Sequence, residues 1–370
     1  MATADDPALL RSPLHDRHVG LGAKFAEFGG WEMPLEYAGG GVLAEHKAVR
    51  EAAGLFDVSH LGKAVVRGPG AAAYVNRCLT ADLGKIGPGQ AQYTLCCDES
   101  GGVVDDLIAY VRSDEDVFLV PNAANTAEVV RRLAAEAPDG VEVIDQHRDF
   151  AVLAVQGPRS DDLLDAVGLP TGHDYMSFVT ATYDDASLTV CRTGYTGERG
   201  YELVVPAGSA AAMWDAVMTA GEALGLRAAG LGARDTLRTE MGYPLHGQDL
   251  SRDITPVMGR AAWAVGWDKE EFWGRGALIE QRSAKTSRVS RGLVAAGRGI
   301  PRPGMTVRNG DGAEIGVVTS GTFAPSLRKG IALALVDRGL ADGETVTVDV
   351  RGRTEPFTVT KPPFVADSVR

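Results

Sequence analysis

The chain has 370 residues, 45% of them apolar and 23% charged, a composition that supports more than one hydrophobic core. A formal net charge of −12 argues against general binding to nucleic acid or to an anionic membrane surface. No run of 18 uncharged apolar residues occurs, so no membrane-spanning segment is expected.

In chain order, the N-terminal residues lack the apolar core of a secretory leader, and Asp5 and Asp6 argue against an organelle transit peptide. Gly39–Ala44 formally fits GxGxxA, but Met33-Pro-Leu-Glu-Tyr37 before it reads as a poor buried strand, so a flexible loop is expected there. Helical periodicity follows over 72–79, 126–136, 160–167, 209–224 and 231–241. Strand-like runs lie at 102–111, 116–120, 141–144, 151–155, 188–191 and 201–205. Interleaved elements of this length predict a layered α+β architecture with mixed sheets over 1–280. The stretch 281–290 (QRSAKTSRVS) is polar and aperiodic and reads as a linker. Charge breaks at the same place: 14 basic and 8 acidic residues after 280 give net +6, against 23 and 41, net −18, before it. Beyond the linker, 291–370 reads as short strands joined by turns at Asn309-Gly-Asp-Gly312 and Arg351-Gly-Arg353, a small barrel or sandwich. Cys78, Cys96, Cys97 and Cys191 contain no CxxC and suit reduced thiols in a cytoplasmic compartment.

No phosphate loop, hydrolase elbow, HExxH or Cys/His cluster occurs, so no metal site is expected. Three polar sets remain. In Gly101-Gly-Val-Val-Asp105-Asp106-Leu-Ile-Ala-Tyr110 strand alternation puts Asp106, Ile108 and Tyr110 on one face and Asp105 with Leu107 on the other. Both acids could instead tie down the Gly101–Gly102 turn; Tyr110 beside Asp106 favours a planar ligand near a carboxylate. In Arg192-Thr-Gly-Tyr195-Thr-Gly-Glu198-Arg-Gly-Tyr201-Glu202, the glycines imply tight backbone. Glu202 could accept two N–H groups from a heterocycle edge, or be an exposed strand carboxylate. Arg234 and Arg238 sit four apart on one helical face, suited to an anion or to ion pairs.

The ordered motifs then resemble the glycine cleavage T-protein family. They are His18-Val-Gly-Leu-Gly-Ala-Lys-Phe-Ala-Glu-Phe-Gly-Gly-Trp31-Glu-Met-Pro, Gly54-Leu-Phe-Asp-Val-Ser-His60, the 101–110 strand, Asn122-Ala-Ala-Asn125, Gln156-Gly-Pro, the 192–198 and 230–235 segments, Tyr243-Pro-Leu-His-Gly-Gln-Asp249, Thr319-Ser-Gly-Thr-Phe and Lys361-Pro-Pro-Phe364. The family's usual Ser-His-Met is Ser-His-Leu61 here. The resemblance implies a three-domain cloverleaf, two intertwined α+β domains and a C-terminal β-barrel, with tetrahydrofolate in a central opening. It implies an aminomethyltransferase that moves the one-carbon unit of an aminomethyl-lipoyl H protein to tetrahydrofolate and releases ammonia. By the same resemblance Asp106 is the catalytic acid, and Glu202, Arg234, Tyr93, Tyr110, Asn122 and Tyr243 are folate-binding positions. A further folate contact known near the family's C-terminus has no safe counterpart at Arg370. Folate-dependent S- or O-demethylases share the scaffold, as do folate-binding iron–sulfur maintenance proteins. The latter's Lys-Gly-Cys hallmark is absent, with Trp273-Gly-Arg-Gly-Ala-Leu278 in the comparable stretch.

Overall fold

The alternation read over 102–111 forms the long strand Val103–Ser113, the second strand of a five-stranded sheet. The sheet runs Gln90–Cys97, Val103–Ser113, Asp116–Val120, Ala64–Arg67, Glu142–Asp145. The computed structural model describes residues 8–369; Asp5, Asp6 and Arg370 lie outside them. A second sheet of six strands runs Phe178–Tyr183, Ala186–Cys191, Gly200–Pro206, Phe150–Gln156, Ala53–Asp57, Leu226–Ala229. The first sheet packs a core of Val66, Leu107, Ala109, Leu119 and Leu133; the second packs one of Leu55, Leu153, Leu203 and Trp214. A third cluster, with Phe56, Val65, Tyr110, Phe118, Phe178 and Leu237, joins the two sheets. The site lies beside this junction.

After residue 287 the chain closes a six-stranded barrel around Leu293, Val307, Val336, Val348 and Phe357. The architecture is therefore α+β with a C-terminal barrel. Among the described residues no helix is long and apolar enough to cross a membrane.

Three local expectations change. The predicted linker 281–290 shrinks to 285–287: the helix Arg275–Ala284 runs into it from one side and the strand Arg288–Ala295 from the other. Only Leu278 of that helix is buried, against Gly101, so its last turn is polar and carries no periodic signal. Gly39–Ala44 is not a loop throughout. Trp31–Glu36 is a strand, and a helix spans Gly41–Glu51. Its buried residues include Glu45 and His46, which hide the apolar stripe; Glu45 accepts the N–H groups of Tyr37 and Gly230 at 2.6 and 3.0 Å. In the first barrel hairpin the positive φ falls on Gly312 alone, while Asn309 Oδ1 accepts the N–H groups of Asp311 and Ala313.

Candidate functional site

Neighbouring acids on an apolar strand have to be satisfied, and the two here are satisfied differently. Asp105 is fully buried and accepts three N–H groups: Asn122 N and Asn122 Nδ2 at 2.9 Å each, and Asn125 Nδ2 at 2.7 Å. Asp106 faces the opposite side, toward an open cavity of ≈220 Å³, as strand alternation predicts. It accepts the Tyr93 hydroxyl at 2.9 Å and Asn122 Nδ2 at 3.0 Å, so one asparagine amide ties the two carboxyls together. Burial raises both carboxyl pKa values; the neighbouring Asp106 raises Asp105 further, whereas Tyr93, His246 and Asn122 favour the ionised form of Asp106. The Gly101–Gly102 turn is tied by neither acid but by Asp98, whose Oδ1 accepts the N–H groups of Ser100 and Gly102.

His246 braces the acid pair from the opposite wall. Asn125 Nδ2 donates to its Nδ1 at 3.0 Å, leaving Nε2–H to donate to Val103 O at 3.0 Å.

The second polar set supplies the far wall. Gly194 has to be glycine, because a Cβ there would lie 2.1 Å from the Gln156 carboxamide. This close approach turns the chain so that Thr193 Oγ1 donates to Glu202 Oε2 at 2.5 Å and the Tyr195 ring faces the cavity. Glu202 is buried in the strand Gly200–Pro206, not an exposed strand carboxylate. The Arg234 guanidinium lies 4.8 Å from the centroid of the Tyr195 ring, and Tyr195 stacks on Tyr243 with centroids 5.7 Å apart. Arg234 Nη1 is buried and has no hydrogen-bond partner among the described residues. Burial pushes the Arg234 pKa down, opposed by Glu202 and Tyr195.

The cavity thus brings together Asp106, Glu202, Arg234, Tyr93, Asn122 and Tyr243. Tyr110 does not line it. Its ring is packed between Phe118 and Phe178, and its hydroxyl reaches Thr193 Oγ1 at 3.2 Å, so it supports Glu202 from behind. The reason is length: four residues of extended strand carry Tyr110 roughly 13 Å past Asp106 and into the junction between the sheets. The paired-arginine expectation also separates. Arg238 turns away to Asp235, Asp249 and Ser320, and Arg234 alone enters the cavity.

Sequence reasoning did not assign His60, His246 and Trp263 to the site. Trp263 is 72% exposed and stacks on Tyr93 at 5.2 Å, forming the mouth. His60 is buried, and its pKa is pushed down to about 3 by burial and by Arg234. Its loop is wrapped around the Lys63 ammonium, which donates to Ser59 O and Leu61 O at 2.8 Å each; burial lowers that lysine to about 7. The Ser59–Leu61 segment offers no periodic signal, since its order comes from a buried cation holding carbonyls. Among the described residues no group of three or more His, Cys, Asp or Glu is arranged to hold a metal ion.

Comparison with known proteins gives a consistent result. Residues 14–269 match the GCVT N-terminal domain, and 288–366 match the glycine cleavage T-protein C-terminal barrel domain. The chain is 65% identical over 362 residues to an aminomethyltransferase of Frankia alni, covering 98% of this chain and 99% of that one. It is 59% identical over 369 residues to an aminomethyltransferase of Mycobacterium tuberculosis, covering 99% and 100% respectively. The crystal structure of the glycine cleavage system aminomethyltransferase T from Bartonella henselae superposes with a TM-score of 0.91 at 35% identity, covering 97% of this chain and 99% of that one.

Proposed function

The chain belongs to the glycine cleavage T-protein family of aminomethyltransferases, and from that premise we propose that it transfers the one-carbon unit of an aminomethyl-lipoyl H protein to tetrahydrofolate, releasing ammonia. The observation that carries the proposal is a single aromatic-walled cavity into which Asp106, Glu202 and the unpaired Arg234 all open.

The residues fit a reduced pteridine. Glu202 Oε1 is free of protein partners among the described residues, so the carboxylate can accept paired N–H groups from a heterocycle edge. The orphaned Arg234 Nη1 suits an oxygen on the same molecule, and Tyr93, Tyr195, Tyr243 and Trp263 supply flat surface for the ring. Tetrahydrofolate supplies the nucleophilic nitrogen of the reaction.

In the transfer the carbon's bonds to the amine nitrogen and to the lipoyl sulfur both break and bonds to two folate nitrogens form, giving ammonia, dihydrolipoyl H protein and methylenetetrahydrofolate. Positive charge develops at the carbon as ammonia leaves. In its ionised form Asp106, held by Tyr93 and Asn122, stabilises that charge without reorganising. Asp105, saturated by asparagine donors, holds Asn122 and thereby the Asp106 carboxylate in place. Trp263 flanks the mouth beside Tyr93, and fixing two reactants side by side supplies most of the remaining acceleration.

A basic cleft on the barrel lined by Arg298, Arg302, Arg351 and Arg353 supports docking of an acidic H protein. The four buried, unpaired cysteines support a reducing cytoplasm as the location. The decisive measurement is ammonia release from aminomethylated H protein with and without tetrahydrofolate. The proposal requires release to depend on the folate; equal release in both, or demethylation of a sulfonium compound instead, overturns it.

A further inference from the structure

Arg260, Arg291 and Lys361 converge with Asp342, Leu340 and Ala341 around a cleft of ≈410 Å³ that shares no residue with the central cavity. The cleft lies on a seam. Arg291 comes from the first barrel strand, Lys361 follows the last, and Arg260 belongs to the 255–261 loop of the preceding region. A hydrogen bond from Ser290 N to Met258 O at 2.7 Å holds that loop against the barrel.

Three cations facing one carboxylate leave an excess of two positive charges. None of the three makes a hydrogen bond or ion pair with a described residue. That sets them apart from Arg50, Arg238 and Arg308, each of which holds a carboxylate within 3.0 Å. The grouping works against the fold: burial and then the charge of Arg291 lower the Arg260 pKa, and Asp342 only partly opposes them. Arg260 is also held at φ +61°, in the left-handed region that a side-chain-bearing residue enters at a cost. Repelling cations kept together without a partner, on a strained backbone, form a preorganised anion receptor.

We propose that the Arg260–Arg291–Lys361 cleft binds a small oxyanion bearing two or more negative charges. The ligand bridges barrel and loop, neutralising repulsion across the seam. Directly after this loop the turn Ala262–Ala264 presents Trp263 over Tyr93, so the bound anion also steadies the mouth of the central cavity. Phosphate and a chain of carboxylates share the required chemistry.

The test is calorimetric titration of the full protein with inorganic phosphate and, separately, with triglutamate, each against chloride at matched ionic strength. The expected result is saturable one-site binding of at least one probe, weakened about tenfold or more in the Arg260→Gln/Arg291→Gln protein. Saturation by phosphate alone assigns a phosphate-type ligand, and tighter binding of triglutamate assigns a carboxylate chain. The unfolding midpoint without anion should be no lower in the double variant, because no protein partner is lost. If that variant is poorly folded, Lys361→Gln provides the same comparison at the cleft's exposed edge. Absence of saturable binding for both probes, or equal affinity in the variants, overturns the proposal.

Discussion

One turn apart on the helix Leu231–Met241, Arg238 and Arg234 meet opposite environments. Arg238 is 2% exposed and saturated: Asp235 at 2.6 Å, Asp249 at 3.0 Å, Ser320 at 2.9 Å and Tyr243 O at 3.2 Å surround it. Ser320 belongs to the barrel, so this network fastens the barrel to the helix. Arg234 makes no such bond, and its buried Nη1 faces the cavity. The same contrast separates Asp105, with three N–H donors, from Asp106, which opens to the cavity. Arg238 and Asp105 are buried outright, whereas Arg234 and Asp106 are half-buried at the cavity wall. Within each pair, the member left without a full set of protein partners is the one that opens to the cavity.

Replacing Arg238 tests the saturated side and should give the largest effect. Arg238→Met leaves Asp249, itself 2% exposed, without its cation, and should lower the unfolding free energy by about 3–5 kcal/mol in urea titration. A loss near zero would show that the network contributes nothing to holding the barrel. Asp106→Asn should then leave the unfolding midpoint nearly unchanged but lower turnover by roughly 10²-fold. Asp105→Asn should do the reverse in kind. It presents an N–H to the asparagine donors, so stability falls first and turnover falls through displaced Asn122. Turnover losses of equal size from the two substitutions, with both folds intact, would erase the distinction.

On the open side, Arg234→Ala removes a cation that makes no hydrogen bond or ion pair with a described residue and rests only on the Tyr195 ring, and should cost little stability. Folate affinity should weaken by about 1–3 kcal/mol, measured by calorimetry. Unchanged affinity with lost turnover would move Arg234 from binding to chemistry.

Much of this contrast was legible in the sequence. Alternation over 102–111 placed Asp106 and Asp105 on opposite faces, and the structure keeps them there. The barrel strands were legible because turn residues punctuate them. The division between Arg234 and Arg238 was not, since a four-residue spacing gives both the same direction from the helix axis. The partners of Arg238, Asp249 and Ser320, come from distant segments. Tyr110 lies outside the cavity lining for a related reason: alternation states which face a residue shares, but not how far along the strand the cavity extends. The 41–51 helix was hidden because it buries Glu45 and His46 through hydrogen bonds, where periodicity sees only polar residues.

The smallest effect concerns the proton on Asp106. Burial raises its pKa, while the Tyr93 hydroxyl at 2.9 Å stabilises the ionised form and opposes that rise. A carboxylate that stabilises developing positive charge works only when ionised, so turnover is full above the folded pKa and falls as pH drops through it. Tyr93→Phe removes the donor and keeps the ring that stacks on Trp263. The pKa of Asp106 should rise further, shifting the acid limb of the turnover profile to higher pH by up to about one unit. Stability carries the matching sign. A buried carboxyl with a raised folded value binds its proton more tightly in the folded state, so folding free energy declines as pH rises from the unfolded carboxylate range to the folded pKa. Tyr93→Phe should extend that decline upward by the same interval. An acid limb that stays in place, or moves to lower pH, would mean that Tyr93 serves the ligand rather than the carboxylate.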